Sequence, residues 1–189
     1  MIMATGRSWN NTPFFNCDCI VSVVSSILSQ SSLLTRVVAI CLLISSPWLI
    51  LQIGIVAFAP DQEFTEMPTC SSSSGNCAHL GGGDDYRLLE NLPSVVNLTV
   101  SEAYGNLISY IDNNGLKIIY EDSNEDSHYL HFVEKTPFWQ FPDDVVVSLQ
   151  DNDSTTIVEI HSESRIGWGD LGVNPERIEK IYSSLIVAE

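Results

Sequence analysis

TVSEAYGNLISYIDNNG, residues 99–115, runs directly into LKIIYEDSNEDSHYLHFVEK, residues 116–135, and the hydrophobic period changes between them. In the first stretch Val100, Ala103, Tyr104, Leu107, Ile108 and Ile111 recur three and four apart, which lays one apolar stripe along a helix. Thr99 with Glu102 three residues later is a capping-box signature, and Asn113-Asn114-Gly115 supplies the stop. The spacing predicts a helix over 99–113. In the second stretch the period drops to two. Leu116, Ile118 and Tyr120 alternate with Lys117 and Ile119, then Leu130 and Phe132 oppose Tyr129, His131 and Val133.

Toward the C-terminus, 144–150 turns Val145, Val147 and Leu149 one way. Residues 155–164 set Val158 and Ile160 against Ile157, Glu159 and His161. The polar connectors 122–126 and 151–154 are hairpin-length, so the strands 116–121, 127–134, 144–150 and 155–164 should form an antiparallel meander. Asn174 as cap, Pro175 in the first turn and Glu176 at the positive end of the dipole open a last helix. Its stripe is Ile178, Ile181, Tyr182, Leu185 and Ile186. Residues 94–189 therefore read as a small α+β domain: helix, four-stranded antiparallel sheet, helix, with one sheet face carrying the helices.

Toward the N-terminus the chemistry changes. Residues 60–93 read as a linker, with Pro60, Pro68 and Pro93, four consecutive serines and Gly81-Gly82-Gly83. Residues 37–59 carry no charge, enough for a helix to cross a bilayer core, which takes about 20 apolar residues. Arg36 precedes the run, while Asp61, Glu63 and Glu66 follow it. A retained anchor would therefore place the folded domain on the non-cytoplasmic or lumenal side. The rival is a removed signal. Val56-Ala57-Phe58-Ala59-Pro60 looks like the cleavage signature of bipartite plastid presequences, which would deliver a soluble domain to a plastid, thylakoid or stroma. Residues 1–36 form a targeting or interfacial segment, in which Cys17 and Cys19 are plain thiols or palmitoylation sites.

The chain has 189 residues, with 8 Lys+Arg against 24 Asp+Glu, a net charge of -16. Residues 1–60 carry +1, so the remainder carries -17. Such a balance excludes nucleic acid as a partner, and 44% hydrophobic with 17% charged residues excludes a disordered chain.

Few residues point to chemistry. Gly167-Trp168-Gly169-Asp170-Leu171-Gly172 matches the spacing of a dinucleotide fingerprint, but no second strand follows before Glu189, so these glycines read as a strand-to-helix turn. Cys70 and Cys77 bracket a Ser/Gly loop and are either bonded or free thiols. With His79 they are too few for a metal. His128 and His131, three apart on a strand, face opposite ways. His131 and His161 would meet only if their strands were in register, with Glu159 and Glu134 as added oxygen ligands. No metal and no cofactor is called for.

Several of these strings together resemble a known family: Cys70…Asn76-Cys77, Thr136-Pro137-Phe138-Trp139, Asp143-Asp144-Val145, and Ser162-x-Ser164-Arg165-Ile166-Gly167 continuing through Asp170-Leu171-Gly172-Val173-Asn174 to Arg177-Ile178-Glu179. Over roughly residues 68–187 the chain is similar to the domain of unknown function 1499 family, whose members often carry a preceding hydrophobic segment. The resemblance implies no established activity. Within it, Arg165, Asp170, Asn174 and Arg177 are the candidate site residues, with Trp139 and Trp168 as candidate recognition aromatics. Structurally, Arg165 would pair with Asp143 or Asp144 while Asn174 caps the last helix. Functionally, Arg165 and Arg177 would form an anion site at the helix N-terminus. The reading as a whole is a membrane-anchored accessory or binding module, with a membrane protein complex as a candidate partner. Its alternatives are a hydrolase-like enzyme and a domain binding a small amphiphile or anion.

Overall fold

The computed structural model describes Ser22 and residues 32–186. Most of the targeting or interfacial segment 1–36, including Cys17 and Cys19, lies outside the described residues. The chain divides near Leu49–Ile50 into two compact units. Helix α1, Leu33–Phe58, has 26 residues and is long and apolar enough to cross a membrane. At 1.5 Å per residue it reaches about 39 Å, more than a hydrocarbon core of about 30 Å. It is apolar on every side, and Arg36 is its sole charged residue. Pro47 removes the N–H that would bond the carbonyl of Leu43. The Ser46 hydroxyl donates to that same carbonyl at 2.9 Å, repairing the ladder from the side chain.

In the second unit, α2 (Val100–Asn113) begins where its capping residues place it. The Glu102 N–H donates to the Thr99 hydroxyl at 3.3 Å, and the Thr99 N–H donates to the Glu102 carboxylate at 2.9 Å. Its end is a Schellman motif. Gly115, at φ 60°, donates to the Asp112 carbonyl, and Leu116 donates to that of Ile111.

The sheet has six strands, not four: β1 (Cys77–Leu80), β2 (Val95–Val96), β3 (Lys117–Ser123), β4 (Ser127–Lys135), β5 (Pro142–Asn152) and β6 (Thr155–Ser164). The meander β3-β4-β5-β6 is antiparallel throughout, and β1 and β2 pair successively along the outer edge of β6. β1 falls inside 60–93. It has four residues and β2 has two, too short for a period to be visible, and all four of β1 are buried. α3 (Val173–Ile186) closes the domain and lies beside α2 on one sheet face. The core between the layers holds Leu80, Leu130, Phe132, Val145, Val147, Ile160, Leu107, Ile111, Ile178, Ile181 and Leu185.

Asn174 is not the cap of the last helix. The helix starts at Val173, and Asp170 does the capping: its carboxylate accepts from the N–H groups of Gly172 at 2.9 Å and Asn174 at 3.3 Å. Asn174 is wholly buried in the first turn. A carboxylate reaches that position because Leu171 takes φ 54° and folds the turn back over it.

Candidate functional site

Asp143 and Asp144 are neighbours on β5, so their side chains leave opposite faces of the sheet, and each meets its own arginine. On the helix-bearing face, Arg177 reaches Asp143 at 2.7 Å and Glu134 at 3.4 Å. It also donates to the side-chain oxygens of Asn174 at 3.0 Å and Ser162 at 3.3 Å. Asn174 in turn donates to Asp170 at 2.8 Å, to the Ser164 hydroxyl at 3.1 Å and to the Asn76 carbonyl at 2.9 Å. Arg87 completes this group with two bonds to Asp170, at 2.7 and 3.2 Å. Burial pushes the Asp143 carboxyl up, against the pull of Arg177. Burial acts the same way on Asp170, but Arg87, the Gly172 N–H and the Asn174 side chain outweigh it and hold that carboxyl down.

On the opposite face, Arg165 grips Asp144 with two bonds, at 2.8 and 2.6 Å, and Asp61 with a third at 2.7 Å. Lys117 holds the other oxygen of Asp61 at 2.6 Å, and Lys117 and Arg165 together depress that carboxyl to about 2. His131 is fully buried, with the Phe64 ring packed against it at 4.9 Å between centroids. Its Nδ1 accepts from the Phe64 N–H at 3.2 Å, so the hydrogen sits on Nε2, 2.8 Å from Asp144. Burial opposes ionisation of Asp144, but Arg165 and His131 outweigh it and leave its pKa lowered.

The candidate residues thus divide. Asp170, Asn174 and Arg177 come together. Arg165 belongs to a separate cluster beyond the sheet, and the two arginines do not converge on one anion. A cleft of about 200 Å³ beside Arg165 is lined by Phe58, Pro60, Phe64 and Asp144. It is smaller than the usual range of about 300–1,000 Å³ for ligand pockets. Trp168 and Leu171 project from the glycine turn at 99% and 101% exposure, and Trp139, in edge contact with Phe138, is half exposed. Among the described residues, the cleft beside Arg165 is not lined by these aromatics.

Cys70 and Cys77 form a disulfide, with Cα atoms 5.7 Å apart. The histidine that meets His161 is His79, directly opposite it across β1 and β6. Their Nδ1 atoms are 3.2 Å apart. His131 lies in the same cross-sheet row, but Val146 stands between it and His161. Sequence reasoning missed the His79–His161 pair because β1 carries no readable period. The alternating position of His161 in β6 was its one available signal.

A family model described as "Protein of unknown function (DUF1499)" matches residues 64–185. The chain belongs to this family. The DUF1499 match begins after α1, at the phenylalanine that covers His131, and takes in every strand and both packed helices. Of the ion-paired residues above, only Asp61 lies outside it. No curated protein and no solved structure matches the chain.

Proposed function

We propose that this DUF1499 protein is a membrane-anchored accessory or binding module, held by α1 with its folded domain on the non-cytoplasmic side. The observation that carries the reading is α1 itself: 26 residues, apolar all round, with a single charge near its start. A core helix would show an apolar stripe facing a packed layer, as α2 and α3 do. Arg36 before the helix and Asp61, Glu63 and Glu66 after it support the orientation. The disulfide suits an oxidising space.

The motif itself supports a module more than an enzyme. Arg165, Asp170 and Arg177 are each engaged by oppositely charged partners, so a reaction using any of them would first have to break a packed ion pair. Trp168 and Leu171, by contrast, stand free on the turn that the same motif builds, as a contact point for a partner. Carbonate extraction of native membranes followed by intact-mass spectrometry tests the anchor. The full-length chain should remain in the pellet. A soluble chain beginning at Phe58 would overturn the reading and make the preceding residues a plastid-type targeting sequence.

A further inference from the structure

The second face of the sheet holds a row of polar contacts that runs from Glu159 through His79 and His161 to Cys77 and Glu163. His79 Nε2 lies 3.2 Å from the Glu159 carboxylate, and His79 Nδ1 lies 3.2 Å from His161 Nδ1. His161 Nε2 then faces Cys77 Sγ at 3.6 Å and the Glu163 carboxylate at 3.5 Å. With hydrogens on His79 Nε2 and His161 Nδ1 the first two contacts are hydrogen-bonded, and the lone pair of His161 Nε2 is turned toward Cys77 Sγ. The ligand atoms of Cys70, Cys77 and His161 all fall within 4.8 Å of one another. In tetrahedral zinc, Zn–N and Zn–S bonds of about 2.05 and 2.3 Å put N···S edges near 3.5 Å and N···O edges near 3.4 Å. The contacts of His161 Nε2 have those lengths, and the Glu159–His79–His161 relay is the outer-shell support that ligating histidines use.

We propose that Cys70, Cys77 and His161 form a redox-gated zinc site, whose fourth position the partly exposed Glu163 carboxylate turns in to fill, with His79 as its positioning residue. A dithiol opens it. One thiolate attacks Cys70 sulfur, which is half-buried while Cys77 is closed off, and Cys77 leaves as a thiolate. The second thiol resolves the mixed disulfide, so the dithiol ends oxidised and the protein holds two thiols. Zn²⁺ displaces their two protons and draws the sulfurs to about 3.7 Å apart around the metal. A small-molecule disulfide reverses the sequence by the same exchange: it takes the two electrons and leaves as two thiols, the Cys70–Cys77 bond re-forms and the ion is released.

Full-length protein in detergent, reduced anaerobically with a dithiol and desalted, is given Zn²⁺ or Co²⁺ and desalted again. The reduced chain should retain about one zinc and the oxidised chain less than a tenth of that. Cobalt should show tetrahedral d–d bands with thiolate charge transfer. His161→Gln should abolish retention. His79→Gln should weaken zinc about 10- to 100-fold without changing the cobalt spectrum, the mark of a positioning residue. A reduced chain that retains no metal, equal uptake by the oxidised chain, or a folded His161→Gln that binds normally would each overturn the proposal. The comparison of the two redox states stands even where a variant fails to fold, and none of these readouts depends on whether α1 is retained.

Discussion

Arg177 and Asp143 are 4% and 1% exposed, so each is the other's main source of charge compensation inside the domain. Removing one side of a buried pair leaves the other desolvated and alone, at a cost of about 3–5 kcal/mol. Arg177→Ala should therefore lower the Tm by well over 10 °C in a domain of this size. Arg177→Met combined with Asp143→Leu should recover most of that loss. Thermal melts of the single and double variants decide it, and equal damage in both would count against a compensated pair. Asp170 gives a pH signature. Its carboxyl is held below the ordinary value, so the stability it contributes is present above about pH 4 and is lost as the pH falls through the folded pKa. Asp143, pushed up by burial, works in the opposite sense and binds its proton more readily in the folded state. Between pH 7 and pH 3, Asp170→Asn should start from a lower Tm and then lose less of it than the wild type. Parallel curves would show that Asp170 is not a source of the acid sensitivity.

Among the elements, the boundaries of α2 were legible because a helix announces its ends locally, through Thr99, Glu102 and Gly115. The meander strands were legible by alternation. β1 and β2 were not, and the glycines after β1 show why their placement is tertiary. Gly81, at φ 93°, brings its Cα so close to β6 that an added Cβ would lie 2.6 Å from the Val158 carbonyl. Gly105 sits inside α2 with nothing within 4 Å of such an atom. Gly81→Ala should destabilise the domain by more than about 1 kcal/mol, whereas Gly105→Ala should stabilise it by about 0.5–1 kcal/mol. Chemical denaturation of the two variants should shift the midpoint in opposite directions. The cap of α3 departs from what composition suggests for a related reason. Asn174 has the composition of a cap, but Leu171 folds the preceding turn so that Asp170 occupies that place, and Asn174 is drawn inside to join Ser162 and Arg177.

At the scale of the whole chain, what the sequence by itself determined was everything carried by neighbours along the backbone. The apolar run of α1, the stripes of α2 and α3, the alternation of the four long strands and the stretch that matches DUF1499 can all be read from residues a few positions apart. Only the tertiary structure decided which side chains share a site. His79 and His161 are 82 positions apart, Arg165 and Asp61 are 104, and Arg87 and Asp170 are 83. Each meeting depends on register, and a one-residue slip in β1 or β6 would turn its partner to the other face. Register is set by which residues the two layers can bury together. That packing divides Asp143 from Asp144, gives each its arginine, and gathers two cysteines and two histidines beside Glu159 and Glu163.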